Sequence, residues 1–232
     1  MADKVDFCII ISAGTEWRAI LTQFPDAAVQ PSPYGDCFRA AIGGEDVIFL
    51  NSGWGKVASA GAAQYTIDRW NPRLLINLGT CGGVEGAVRL NDVILAKETV
   101  IYDIIEGMSS YQDAIDHYSV MANLDWLGSR LPFEVKRLKL FSADRDIRPE
   151  DVSGILRDFG AAVGDWESGA FVWVCDRNRV DWLVLRSVTD LVSDQYGEAL
   201  GNADLWRGRT REVMGTLVSY LPWILDRYDK TH

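Results

Sequence analysis

Histidine is scarce in this sequence, with two in 232 residues, and the four cysteines stand singly with no CxxC pair. Zinc sites are built from clustered thiolates and imidazoles, so no metal centre is expected. Basic residues are in deficit: 23 Lys and Arg face 33 Asp and Glu, for a formal charge of −10. A surface of that sign repels phosphodiester backbones and anionic lipid, which argues against nucleic-acid or membrane binding as the main task. No apolar run is long enough to span a bilayer. The opening MADKVDFCIII lacks the zones of a secretory leader. Cys8, Cys37, Cys81 and Cys175 sit mostly in apolar runs, as lone thiols do in a reducing compartment. A cytoplasmic protein is expected.

Apolar residues are plentiful at 48%, enough for one sizeable core. Strand-length runs recur at Phe7–Ile11, Cys37–Ile42, Val47–Leu50, Leu74–Leu78, Val93–Ala96, Val135–Phe141 and Trp182–Val188. Several lack polar alternation, which marks strands buried on both faces under helices. Helices are expected at Glu16–Phe24, Lys56–Trp70, Ser119–Leu131, Pro149–Phe159, Trp166–Asn178 and from about Leu205 to Tyr228, with a kink or break at Pro222. Ile104–His117 and Val192–Asp204 read as long loops. The alternation predicts an α/β protein, and no linker divides residues 1–232, so one domain is expected.

GWGKVA, Gly53 to Ala58, has the G-x-G-x-x-A spacing of a dinucleotide fingerprint. It follows the third strand-like run rather than the first, and no ribose-binding acid follows about 20 residues on. It also fails as a Walker A loop, because Leu50 stands in place of Gly and Val57 follows Lys56. A tight turn into a closely packed helix is the simpler reading. Elsewhere, acidic and basic groups lie at or near strand ends. SAGTEW puts Glu16 after the first strand, INLGTCGG presents Thr80 and Cys81, and VLRSVTD carries Arg186 with Asp190 just beyond. DWESGAF puts Glu167 in a helix's first turn, with Asp165 as N-cap. Ligands of open α/β sheets gather beyond the carboxyl ends of strands. Each residue also has a plain structural use, as a first-turn acid, a cap or an ion-pair partner.

Taken in order, these stretches resemble the purine nucleoside phosphorylase superfamily, in particular its nucleosidase branch typified by methylthioadenosine/S-adenosylhomocysteine nucleosidase. SGWGKVASA, INLGTCGG, LNDVILAKETVIYD, DWESGAF and VLRSVTD each match a family motif. The resemblance implies a single-domain three-layer αβα sandwich around a central mixed sheet. It also implies hydrolysis of the N-glycosidic bond of a purine nucleoside, with no cofactor and a homodimeric assembly. Asp190 matches the acid that protonates N7, Glu16 the base that activates water, and Arg186 an arginine assisting at the water site. Glu167 matches the carboxylate on the ribose hydroxyls and Thr80 the hydroxyl lining the water site. Cys81, Gly82, Ile147, Asp146, Trp166 and Thr189 fall on or beside the family's substrate-binding positions.

Phosphorylases of this family hold phosphate with arginines. One of those positions is Asn77 here, and the N-terminal G-D-P-x-R loop is replaced by SAGTE. Arg18 and Lys56 are the available substitutes, though neither matches the pattern. Water is therefore expected as the nucleophile. The base pocket departs from the family: Asp146 stands where an aromatic ring usually stacks, and Trp166 replaces the usual Met. The open alternatives are a sibling nucleosidase of futalosine or adenosylhopane type, a phosphate-dependent phosphorylase, and a nucleoside-binding protein that has lost activity.

Overall fold

The computed structural model describes residues 4–232; the first three residues of the N-terminal stretch read above lie outside the described residues. Ten strands form one mixed sheet. In chain order they are β1 (Phe7–Ile11), β2 (Gln30–Pro31), β3 (Asp36–Ile42), β4 (Glu45–Asn51), β5 (Leu74–Val84), β6 (Val93–Ile101), β7 (Val120–Met121), β8 (Lys136–Ser142), β9 (Val163–Asp165) and β10 (Asp181–Val192). The helices are α1 (Gly14–Gln23), α2 (Gly55–Trp70), α3 (Tyr111–His117), the short α4 (Val152–Gly154), α5 (Ser168–Asn178) and α6 (Ala203–Asp229).

The side-chain alternation of β1 explains the layering. Phe7, Ile9 and Ile11 face a core built with Trp17 and Ile20 of α1 and Met214, Leu217 and Leu221 of α6. Cys8 and Ile10 face the opposite core, built with Ala62, Ala63 and Ile67 of α2 and Phe171 and Val172 of α5. Both faces of the strand are apolar because both are covered. The result is the expected three-layer αβα sandwich. The small residues of α2 let α5 approach closely. At one end the sheet curls. β5 pairs with β1 and β10 in parallel and with β9 antiparallel, while β10–β6–β8–β9 completes a ring of strands. A third, smaller cluster, including Tyr102, Phe141, Ile147 and Phe159, packs beside that ring.

Several expectations are corrected. Ser119–Leu131 is not a helix. Val120 and Met121 pair with Thr99 and Glu98 as β7, and only Asp125–Leu127 makes a 3₁₀ turn. Its apolar residues mimic helical spacing, but pairing with β6 satisfies the backbone instead. Ile104–His117 is not wholly irregular: Tyr111–His117 forms α3, capped by the Ser110 hydroxyl accepting from Asp113 N at 3.2 Å. α6 runs through Pro222 without a break. Pro149–Phe159 is helical throughout, but as a 3₁₀ turn, α4 and a π turn in succession. Among the described residues, no helix is long and apolar enough to cross a membrane.

Candidate active site

The parallel seam between β5 and β10 sets the site. Ser187 pairs with Thr80 and Val188 with Cys81, after which the register slips so that Asp190 pairs with Gly82. Thr189 is the extra residue of this bulge, and a bulge re-aims the side chains around it. The Asp190 carboxyl consequently lies against Gly82, where an added Cβ would sit 3.3 Å from Asp190 Oδ2 and 3.0 Å from Ile147 Cδ1. The Thr189 hydroxyl donates to Asp190 Oδ1 at 3.1 Å.

α1 supplies Glu16 from its first turn. Its Oε2 accepts from Ala13 N at 3.1 Å, which ties the side chain back to the helix start. Its Oε1 accepts from Thr80 N at 2.6 Å and from the Thr80 hydroxyl at 2.8 Å. The Trp206 indole of α6 donates to that same hydroxyl at 3.3 Å. Glu167 precedes α5, and its Oε1 accepts from Gly55 N at 3.0 Å. The motif that resembles a nucleotide fingerprint is thus a carboxylate clamp. Gly53 and Gly55 both take positive φ (78° and 81°), and the freed amides at the start of α2 hold Glu167 and, through Lys56 N at 2.8 Å, Asp144.

A cavity of about 440 Å³ opens between these elements. Glu16, Thr80, Cys81, Gly82 and Glu167 line it. So do Asp146, Ile147, Trp166, Thr189 and Asp190. Arg186 does not line it: the guanidinium is 1% exposed and lies behind Gly79. It is paired with Asp165 Oδ2 at 2.7 Å, donates to the Ser168 hydroxyl at 3.0 Å, and donates to Asn77 Oδ1. Asn77 also donates to Ile10 O at 3.1 Å, so its side chain belongs to this buried cluster. Asp165 meets the cavity as well, and its Oδ1 accepts from Glu167 N at 3.2 Å and Ser168 N at 3.0 Å. The expected N-cap is thereby corrected: Glu167 holds the N-cap position of α5, and Asp165 takes these amides from the end of β9, two residues earlier.

Trp54, Phe141, Asp165 and Trp206 complete walls that motif matching did not single out. Trp54 sits inside the glycine motif, and its 69% exposure next to two strained glycines is the structural trace of a rim residue. Trp206 lies just past the stretch Val192–Asp204 read above as a long loop, and its spacing from Asp190 carries no motif.

The electrostatics are one-sided. Among the described residues, five carboxylates, Glu16, Asp146, Asp165, Glu167 and Asp190, line the cavity, against one guanidinium, Arg145. Arg145 is already bound to Asp151 by two bonds of 2.7 and 2.9 Å. Lys56 is tied to Asp103 and Asp144, and Arg18 to Thr15, and neither lines the cavity. Burial pushes the Asp190 carboxyl up to about 6, with Glu198 and Asp146 adding to the effect and Thr189 and Arg209 opposing it. Burial also raises Glu167, as does Asp165 beside it, against Arg186 and the Gly55 amide. Burial holds the Cys81 thiol well above its usual range, so it is a neutral wall and not a nucleophile.

A half-open cavity at strand ends, walled by carboxylates of which burial raises Asp190 and Glu167 in proton affinity, is an acid–base site for a small organic ligand. The chain belongs to the phosphorylase superfamily, whose family model matches residues 6–131. It is 30% identical to the 5′-methylthioadenosine/S-adenosylhomocysteine nucleosidase of Haemophilus influenzae (strain PittEE) over 164 residues, covering 66% of this chain and 72% of that protein. It is 25% identical to the enzyme of the same name from Tolumonas auensis over 170 residues, covering 68% of this chain and 74% of that protein. The fold matches the Helicobacter pylori nucleosidase of that name, solved with butyl-thio-DADMe-Immucillin-A, at a TM-score of 0.78 and 17% identity, covering 96% of this chain and 98% of that one. It matches the futalosine hydrolase of Helicobacter pylori at 0.77 and 18% identity, again covering 96% and 98%.

Breaking the buried ion pair has a defined cost. Asp165→Asn leaves Arg186 buried without its counter-charge, so unfolding free energy should fall by about 3–5 kcal/mol. Urea titration checks this, and a wild-type midpoint would refute the central place given to the pair.

Proposed function

We propose that the chain hydrolyses the N-glycosidic bond of a 5′-modified adenine nucleoside such as methylthioadenosine or S-adenosylhomocysteine, releasing free adenine. The observation that carries this reading is the cavity's charge: five carboxylates and one guanidinium already spent on Asp151. A phosphate dianion would enter with no free cation to receive it. Water, an uncharged nucleophile that needs a base, suits these walls.

The chemistry follows from the placements. A purine leaves poorly as an anion. Asp190, half-buried and with its carboxyl pushed up to about 6, gives its proton to N7 as the bond to the anomeric carbon lengthens. The ribosyl group then carries positive charge. Glu167 accepts hydrogen bonds from the 2′- and 3′-hydroxyls and stabilises that charge. Glu16, fixed by Ala13 and Thr80, takes a proton from the water that attacks the anomeric carbon, and the Thr80 hydroxyl borders that water. Atoms balance: the base gains the proton of Asp190, the sugar gains hydroxide, and Glu16 holds the remaining proton until solvent exchange. The division of labour parallels that of an inverting glycosidase. Arg186 acts from behind as a positioning residue, holding Asp165 and Asn77. Ile147 and Trp166 supply apolar surface for the base. The acidic lining favours a 5′ substituent without net negative charge over an anionic one.

The same reading takes residues 1–232 as one domain, supported by the single sheet that all ten strands share. It takes the protein to be a cytoplasmic homodimer. Four unpaired cysteines support the compartment. The exposed Trp54, Val57, Ile105 and Met108 support an apolar contact, because the Lys56–Asp103 pair ties their two segments together. Light scattering on the purified protein checks the assembly.

Three outcomes test the chemistry. A nucleoside panel assayed with and without phosphate should yield free adenine and the free 5-modified ribose in both conditions; the corresponding sugar 1-phosphate formed only with phosphate would overturn the hydrolytic reading. Asp190→Asn should lower kcat by about 10²-fold or more, and Glu16→Gln should abolish turnover while ligand binding remains measurable by calorimetry. Full activity in either variant removes that residue from the mechanism. The pH profile has a defined sign: a general acid must hold its proton, so kcat/KM should fall as pH rises through about 6. A flat profile from pH 5 to 8, in arbitrary buffers of constant ionic strength, would exclude Asp190 as the titrating acid.

A further inference from the structure

The bulge that aims Asp190 interrupts the ladder between β10 and β5, so its peptide groups need other partners. Two side chains supply them. Arg209, on α6, donates through Nη1 to Thr189 O at 2.9 Å. The same nitrogen donates to Glu198 Oε2 at 2.8 Å. That Glu198 oxygen in turn accepts from Leu191 N at 3.1 Å, and Glu198 N donates to Leu191 O at 3.0 Å. The pair therefore grips the main chain on both sides of Asp190, at residues 189 and 191. Both partners are half-buried, at 24% side-chain exposure each, so solvent weakens the pair only in part. Glu198 also lies in the stretch that sends Ala199 and Leu200 into the cavity wall.

We propose that Glu198 and Arg209 are a positioning pair for Asp190, gripping the main chain on both sides of it and so fixing the direction of its carboxyl. The proposal rests on Asp190 being the acid. Neither side chain lines the cavity, so they act through the strand and not on the substrate. The charged and titratable groups around Asp190 are Glu198, Asp146 from the segment after β8, Arg209 from α6, and the neutral Cys81 thiol of β5. Arg209 holds the Glu198 carboxyl below its usual range, so Glu198 is anionic wherever Asp190 titrates. Glu198 raises the Asp190 carboxyl and Arg209 lowers it, which gives the two substitutions opposite signatures.

Glu198→Gln and Arg209→Gln are assayed across pH 5 to 9 alongside wild type and Asp190→Asn. Each single variant should lower kcat on the order of 10-fold with KM little changed, as misaligned acids do. The high-pH limb of kcat/KM should move down in Glu198→Gln and up in Arg209→Gln. A purely structural role would move neither limb. Unchanged limbs, or limbs that move the same way, overturn the pair's role while leaving Asp190 in place. Full activity in Asp190→Asn would instead sink the acid assignment itself. Thermal melting identifies folded variants. Should either single variant fail to fold, Arg209→Lys keeps the charge and loses the reach to Thr189 O. Its kcat should fall while its limb stays, and an unchanged kcat there also overturns the proposal.

Discussion

The ion pair between Arg186 and Asp165 is the contact on which the site hangs. It joins the middle of β10 to the last residue of β9. Through Asn77 and Ser168 it also reaches β5 and the first turn of α5. Two charges this deep are costly to desolvate, and the pair is stable only because its remaining donors and acceptors are met. Asp165 takes the amides of Glu167 and Ser168, Ser142 donates to it at 2.7 Å, and Asn77 anchors the assembly to Ile10 O at 3.1 Å. Gly79 is part of the same arrangement: a Cβ there would lie 2.1 Å from Arg186 Nη1, so the guanidinium passes where no other residue would leave room. A network so fully bonded admits few alternatives, which makes it a rigid base for catalytic geometry.

That rigidity lets one cavity hold several carboxylates in different states. Carboxylates gathered without distinction would repel one another and share protons indiscriminately. Here each has a separate environment. Asp165 has a guanidinium, Glu16 has two amides and a hydroxyl, Glu167 has the amide at the start of α2, and Asp190 has one hydroxyl and a half-buried position. Environments that push neighbouring acids apart in proton affinity create an acid and a base on one small site. The same crowding of negative charge turns away a phosphate dianion, so the choice of water over phosphate follows from the walls as a whole and from no single substitution.

Much of this was legible in the chain, and the remainder is hidden for physical reasons. β1 was readable to the residue because it is buried on both faces and uniformly apolar. β5 and β10 were recognised but placed too short, since their catalytic ends, from Gly79 to Val84 and from Thr189 to Val192, are polar or glycine-rich and look like loops. They remain strands because they pair with each other across the bulge. Val120–Met121 was misread because a two-residue edge strand is specified by its partner and not by its own pattern. The positions of Glu16, Glu167 and Asp190 were visible from order and spacing. The distinction between Asp190 at the cavity wall and Arg186 behind it was not, because the two lie four residues apart on one strand, a spacing that alternation alone would put on one face, and the bulge at Thr189 is what separates them. Asn77 shows the same limit. Its identity indicates the absent phosphate arginine, yet only the structure shows its amide built into the ion-pair cluster.

The base end of the cavity is where this chain departs furthest from its family's pattern, and the structure gives that departure a physical form. Asp146 is exposed at the cavity wall and raises the proton affinity of Asp190. A ring in that position would bring stacking surface but no charge. A carboxylate brings the reverse: it raises the proton affinity of Asp190 and offers an acceptor, while Ile147 and Trp166 are the apolar side chains of the same wall. The effect on Asp190 is moderate, because Asp146 lies within reach of solvent and is screened.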